Sequence, residues 1–167
     1  MVSVRNAFEF PAIVNDKAAR VVASGVALIA GLALVTGWLW LAMVLALGFA
    51  LRVASGPRFS PLGQLATKVL APRLGEPRMV PGPPKRFAQA IGFVLTSAAA
   101  IALGLGAEVL TSALLGVLLL FATLEASLGW CAGCWAFGVL MRLGLVPRET
   151  CEACGDISLR HRETAAA

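Results

Sequence analysis

The stretch VVASGVALIAGLALVTGWLWLAMVLALGFAL, residues 21–51, holds 31 consecutive uncharged residues. One straight helix of that length would reach about 46 Å, well beyond the ~30 Å hydrocarbon core of a bilayer. Two shorter helices fit, with Thr36-Gly37 as the turn between them. Trp38 and Trp40 beside that turn suit a membrane–water interface, where an indole buries its apolar body and keeps its N–H wet. The pattern predicts helices over about 18–35 and about 38–55.

Working outward, the composition agrees. Of 167 residues, 59% are hydrophobic and 14% charged, and the mean hydropathy is +0.84. That excludes a soluble globular chain, and the low charge and four cysteines exclude disordered and disulfide-scaffold classes. The net charge of +5 does not indicate nucleic acid, because the basic residues flank apolar runs instead of interleaving with aromatics.

Upstream, residues 1–17 lack a signal-peptide pattern and read as a cytosolic lead-in, with Asn15 as N-cap and Asp16 in the first turn. Downstream, PLGQLATKVLA (61–71) sets Leu62, Leu65, Val69 and Leu70 to one side, as in an interfacial helix. Residues 72–86 hold five of the nine prolines and read as a loop. A third helix is expected over 87–107 and a fourth over about 109–129, carrying Glu125 near its end. Trp130-Cys131-Ala132-Gly133-Cys134-Trp135 follows, then an apolar stretch to Val146 and the polar tail 147–167.

The expected fold is an all-α membrane protein with four short transmembrane helices arranged as two hairpins, each followed by an inner-face helix. Residues 1–146 form a single membrane domain and 147–167 a cytosolic tail. In this arrangement all fourteen Lys and Arg fall on one side, which places both termini in the cytoplasm and the protein in the inner membrane. The two hairpin units, about 15–75 and 83–146, align weakly as an internal repeat through short matches rich in Ala, Leu and Gly. The alignment superposes Arg52 on Glu125. These charges at the inner ends of two spans are expected to pair, although independent snorkelling to the interface is an equal alternative.

All four cysteines fall in one region, as Cys131-x-x-Cys134 and Cys151-x-x-Cys154. Two dithiols at this spacing match a four-thiolate zinc site made of Cys131, Cys134, Cys151 and Cys154, with His161 as the only other nearby ligand type. They equally match working thiols. Trp130-Cys131-x-x-Cys134 has the form of a thioredoxin-like active site, and a helix starting near Gly129 would lower the Cys131 pKa. Inert packing is the third reading, weaker for the polar-tail pair.

Phe10-Pro11, the two hairpins, the Cys-x-x-Cys after the fourth helix and the tail Val146-Pro147-x-x-x-Cys151-Glu-x-Cys154-x-Asp156-Ile157 resemble a family of uncharacterised bacterial integral membrane proteins carrying a domain of unknown function. The resemblance implies thiol or sulfur chemistry, with thioredoxin-like or sulfurtransferase proteins as partners. The leading expectation is a membrane-embedded dithiol module for thiol–disulfide or sulfane-sulfur relay, with Cys131 as nucleophile, Cys134 as resolving thiol, and Cys151 and Cys154 as a second pair. The alternatives are a scaffold stapled by structural zinc, and a small-solute transporter gated by Arg52 and Glu125, which would need to oligomerise to enclose a pathway.

Overall fold

The computed structural model describes residues 13–56 and 59–147. Strand β1 (Ile13–Asn15) leads into α1 (Asp16–Thr36), and after a tight turn α2 (Leu41–Ser55) returns. A short helix α3 (Pro61–Leu65) continues through a π-helical turn (Ala66–Leu70) and a 3₁₀ turn (Ala71–Leu74). Strand β2 (Met79–Pro81) opens the second half, followed by α4 (Gly82–Gly104), α5 (Glu108–Leu128) and α6 (Ala132–Arg142). The order of strand, two helices and a short helix thus occurs twice.

Three of these helices, α1, α4 and α5, are long and apolar enough to cross a membrane, and α2 is apolar but has 15 residues. Local chemistry sets their ends. Asn15 Oδ1 accepts from the Lys17 N–H at 3.0 Å to start α1, and Gly37, with φ of 75°, stops it in the left-handed region that glycine enters without penalty. The segment 72–86, expected as a loop, is more ordered than that. Pro83 and Pro84 sit in the first turn of α4, where a missing N–H leaves no bond unmade, so prolines that read as loop formers mark a helix start. Just before them Met79–Pro81 pairs antiparallel with Ile13–Asn15, Val80 facing Val14, and the Asp16 N–H bonds Arg78 O at 2.8 Å. This ribbon ties the first turns of α1 and α4 together.

The core is built from small residues. Ala18, Ala30, Ala33, Ala42, Ala99 and Ala122 are buried with a few larger partners such as Leu45 and Leu115. The large side chains point outward: Leu28, Val35, Leu105 and Val109 are exposed, each by more than two thirds of its area. Small residues inside and bulky apolar residues outside is what lipid favours, because hydrocarbon solvates leucine while close backbone approach is left to bind the helices. Thr111 Oγ1 adds an interhelical bond by donating to Ala99 O at 3.2 Å. α1 packs most extensively on α5, α2 on α4, and α4 also on α5 and α6.

Candidate dithiol site and its charged surroundings

The Gly129 φ of 69° ends α5, its N–H bonding Glu125 O at 3.0 Å. Three residues on, α6 starts with Cys131 as its N-cap, not with Gly129 as the sequence suggested. Cys131 Sγ accepts from the Cys134 N–H at 3.4 Å, so a thiol occupies the place that serine or aspartate usually fills. Gly133 allows this turn to dock: a Cβ there would lie 2.5 Å from Ala88 Cα on α4. The Phe87 and Phe137 rings meet just beyond, tilted at 57° with centroids 5.6 Å apart.

The Cys131 thiol is held below its ordinary pKa. The leading cause is a hydrogen bond from the Cys134 thiol, and the charge of Lys85 and the Cys134 backbone N–H add to it, against the opposing effects of burial and Glu125. That thiol–thiol hydrogen bond, together with burial, pushes the Cys134 thiol up. Cys131 lines a largely apolar cavity of about 380 Å³ between α1, α2, α4, α5 and the start of α6, with Glu125 also in its wall, and Cys134 does not line it. Both thiols are free. Among the described residues, no group of three or more His, Cys, Asp or Glu stands close enough to hold a metal. Cys151, Cys154, Asp156, Ile157, His161 and Phe10-Pro11 lie outside the described residues.

The expected pair of Arg52 with Glu125 is corrected by geometry. Glu125 Oε1 meets Lys85 Nζ at 2.8 Å, and the same Nζ meets Asp16 Oδ1 at 3.1 Å, in a triad whose side chains are all at least four-fifths buried. Arg52 turns instead to α4 and α3, where Nε donates to Gln89 Oε1 at 2.8 Å and Nη1 to Ser60 Oγ at 3.5 Å. Its guanidinium lies 4.4 Å from the centre of the Phe49 ring. α4 causes the separation, because it packs against both α2 and α5. Lys85 and Gln89, one turn apart on it, take Glu125 and Arg52 respectively.

Sequence reasoning missed Lys85 and Asp16 as site residues. Both read there as boundary charges, one a topogenic lysine and the other a first-turn acid. The available signal was arithmetic: a carboxylate, a lysine and a second carboxylate at the same end of three apolar helices need each other. Arg20 has a separate task, donating to Ala126 O and Ser127 O at the C-terminus of α5, where a cation offsets the exposed carbonyls.

The matched family region runs over residues 14–142, from β1 through α6, so it takes in both thiols, the triad and Arg52. The chain belongs to the family defined by a domain of unknown function, DUF4395. No curated protein and no solved structure matches it. The DUF4395 region therefore coincides with the whole described membrane bundle and stops short of the second cysteine pair.

Proposed function

We propose that this DUF4395 protein is a dithiol module of the inner membrane that takes up sulfur or electrons at its cytosolic face through Cys131. The carrying observation is that Cys131 is the N-cap of α6, bonded to Cys134, near Lys85, and open to a cavity. Lys85 and the helix N-terminus favour a thiolate there, while Cys134 stays protonated until it is needed.

Burial favours the smaller of the two candidate substrates. Cys131 is 9% exposed and is reached through a cavity of about 380 Å³, room for a small sulfane-sulfur donor and not for a protein disulfide on a rigid surface. The Cys131 thiolate attacks the outer sulfur of a persulfide donor. The donor S–S bond breaks, the donor leaves as a thiolate with the bonding pair, and a Cys131 persulfide forms with no net oxidation. Cys134 then attacks the inner sulfur, releasing hydrosulfide and leaving a Cys131–Cys134 disulfide. A dithiol donating two electrons, either Cys151 with Cys154 or a thioredoxin-like protein, attacks the disulfide at the less buried Cys134 sulfur and restores the thiols.

The wider reading is four spans with both termini cytoplasmic. The absence of any Lys or Arg in the turns at residues 37–40 and 105–107 supports it, as does the twice-repeated element order. α2 crosses as the shortest span, about 22 Å long, which local thinning of the bilayer accommodates.

The test uses Cys134→Ser protein given a persulfide donor and analysed intact by mass spectrometry. A gain of one sulfur atom on Cys131, absent in Cys131→Ser, is expected. Stoichiometric zinc in the wild type, lost in all four single serine variants with no sulfur adduct in any, would replace the relay with the zinc-stapled scaffold.

A further inference from the structure

Arg52 is 5% exposed, and its Nη2 has no hydrogen-bond partner among the described residues. A buried guanidinium nitrogen left bare is costly, and the Phe49 ring against the guanidinium supplies no hydrogen-bond acceptor for it. The side chain is not poorly placed: Nε and Nη1 are both engaged, which fixes the plane of the group and leaves Nη2 as the one free corner. Arg52 also has no ion-pair partner within 4.0 Å among the described residues, whereas Lys85 has two.

Arg52 lines a second cavity, of about 230 Å³, which adjoins the one that reaches Cys131 through Ala19, Val22 and Gln89 but contains neither cysteine. Asn15, Thr67, Lys85 and Gln89 share its wall, and Asp16 and Glu125 do not line it. Its polar lining is thus two cations, two amides and a hydroxyl, with no carboxylate. Asp16, Glu125, Lys85 and Arg52 together sum to zero charge, so the cluster is balanced overall while its Arg52 side is locally positive. The volume falls below the ~300 Å³ at which drug-sized ligand sites begin, which limits the occupant to a few heavy atoms. The cavity opens at the charged end of the bundle, between the start of α1, the end of α2 and α3.

We infer that this cavity binds a tetrahedral oxyanion of the phosphate class, with Arg52 Nη2 as its principal donor. The anion is either free in solution or the phosphate of an anionic lipid whose chains lie against the bundle. Neither cysteine lines the site, and Lys85 in its wall is the group it shares with the surroundings of Cys131.

The experiment follows thermal unfolding of the full chain in nanodiscs by tryptophan fluorescence. One arm uses neutral phosphatidylcholine discs titrated with inorganic phosphate, at ionic strength held constant with chloride. The other uses discs containing phosphatidylglycerol and no phosphate. A saturable rise in Tm in the first arm identifies a free anion. A rise in the second arm that added phosphate does not extend identifies the headgroup. Arg52→Gln should weaken either response roughly tenfold or more, the loss expected of one charge-assisted hydrogen bond. Thr67→Leu, which fills the cavity and leaves Arg52 in place, should do the same, so a misfolded Arg52 variant does not decide the matter. A wild-type Tm indifferent to both phosphate and phosphatidylglycerol would overturn the site and leave Nη2 to water alone. A response that persists in either folded variant would overturn it too.

Discussion

Cys131 and Cys134 are separated in sequence by two small residues and in chemistry by one hydrogen bond, and their predicted reactivities diverge accordingly. The folded protein lowers the Cys131 pKa, so its thiolate persists to pH values below the ordinary thiol range near ~8.5 and is lost only as pH falls through that lowered value. Cys134 is raised, so it stays protonated through neutrality. Iodoacetamide, small enough for the cavity, should therefore modify Cys131 at pH 7 roughly tenfold faster than Cys134. Site-resolved mass spectrometry would show this, and equal rates or a faster Cys134 would contradict the assignment of nucleophile.

The triad makes a second prediction at the same scale. Removing one member of a buried ion pair typically costs about 3–5 kcal/mol, because the remaining charge stays buried without a partner. Lys85→Met should cost more than Asp16→Asn or Glu125→Gln, since it strands two carboxylates. In double-mutant cycles on unfolding free energy, Glu125 should couple to Lys85 and only weakly to Arg52. A stronger coupling to Arg52 would restore the pairing that the repeat alignment suggested.

Between elements, glycine decides how closely helices meet. A Cβ at Gly133 would stand 2.5 Å from Ala88 Cα, a contact with backbone that no rotamer change relieves. Gly133→Ala should therefore push α6 off α4 and destabilise by about 1–3 kcal/mol, with a change in the Cys131 alkylation rate as the local readout. Gly138 on the same helix meets nothing and serves as the control. Helix identity was legible in the sequence because apolar run length and glycine turns dictate it: Thr36 and Gly37 end α1 where the uncharged run had to fold back. The ribbon was not legible. Three-residue strands carry no periodicity to read, and prolines at 81, 83 and 84 masked Met79–Pro81 and the first turn of α4. The site was legible in part for the same kind of reason. Spacing exposed Cys131 and Cys134, whereas the partner of Glu125 depends on α4 standing between α2 and α5, a packing order absent from any local pattern.

For the whole molecule, orientation is the testable property. Single cysteines introduced at positions 37 and 107 should react with membrane-impermeant maleimide in intact spheroplasts, and those at positions 80 and 160 only after lysis. The reverse pattern would invert the protein and place the thiols outside the cytosol.

The extensive contact of α1 with α5, rather than with its hairpin neighbour α2, also sets the order of biogenesis. The two helices begin at residues 16 and 108, so a ribosome adding about 5–20 residues per second leaves α1 without its main neighbour for several seconds. For most of that interval Asp16 has no lysine, since Lys85 arrives only with the first turn of α4, and Arg20 has no helix end to hold until α5 is complete. The nascent first hairpin must wait in the bilayer, shielded by the translocon or by lipid, and assembly completes only when the last long helix arrives and closes the ring on the first. A chain cut after α4 should accordingly insert but remain open to proteolysis at α1, however sound its own sequence.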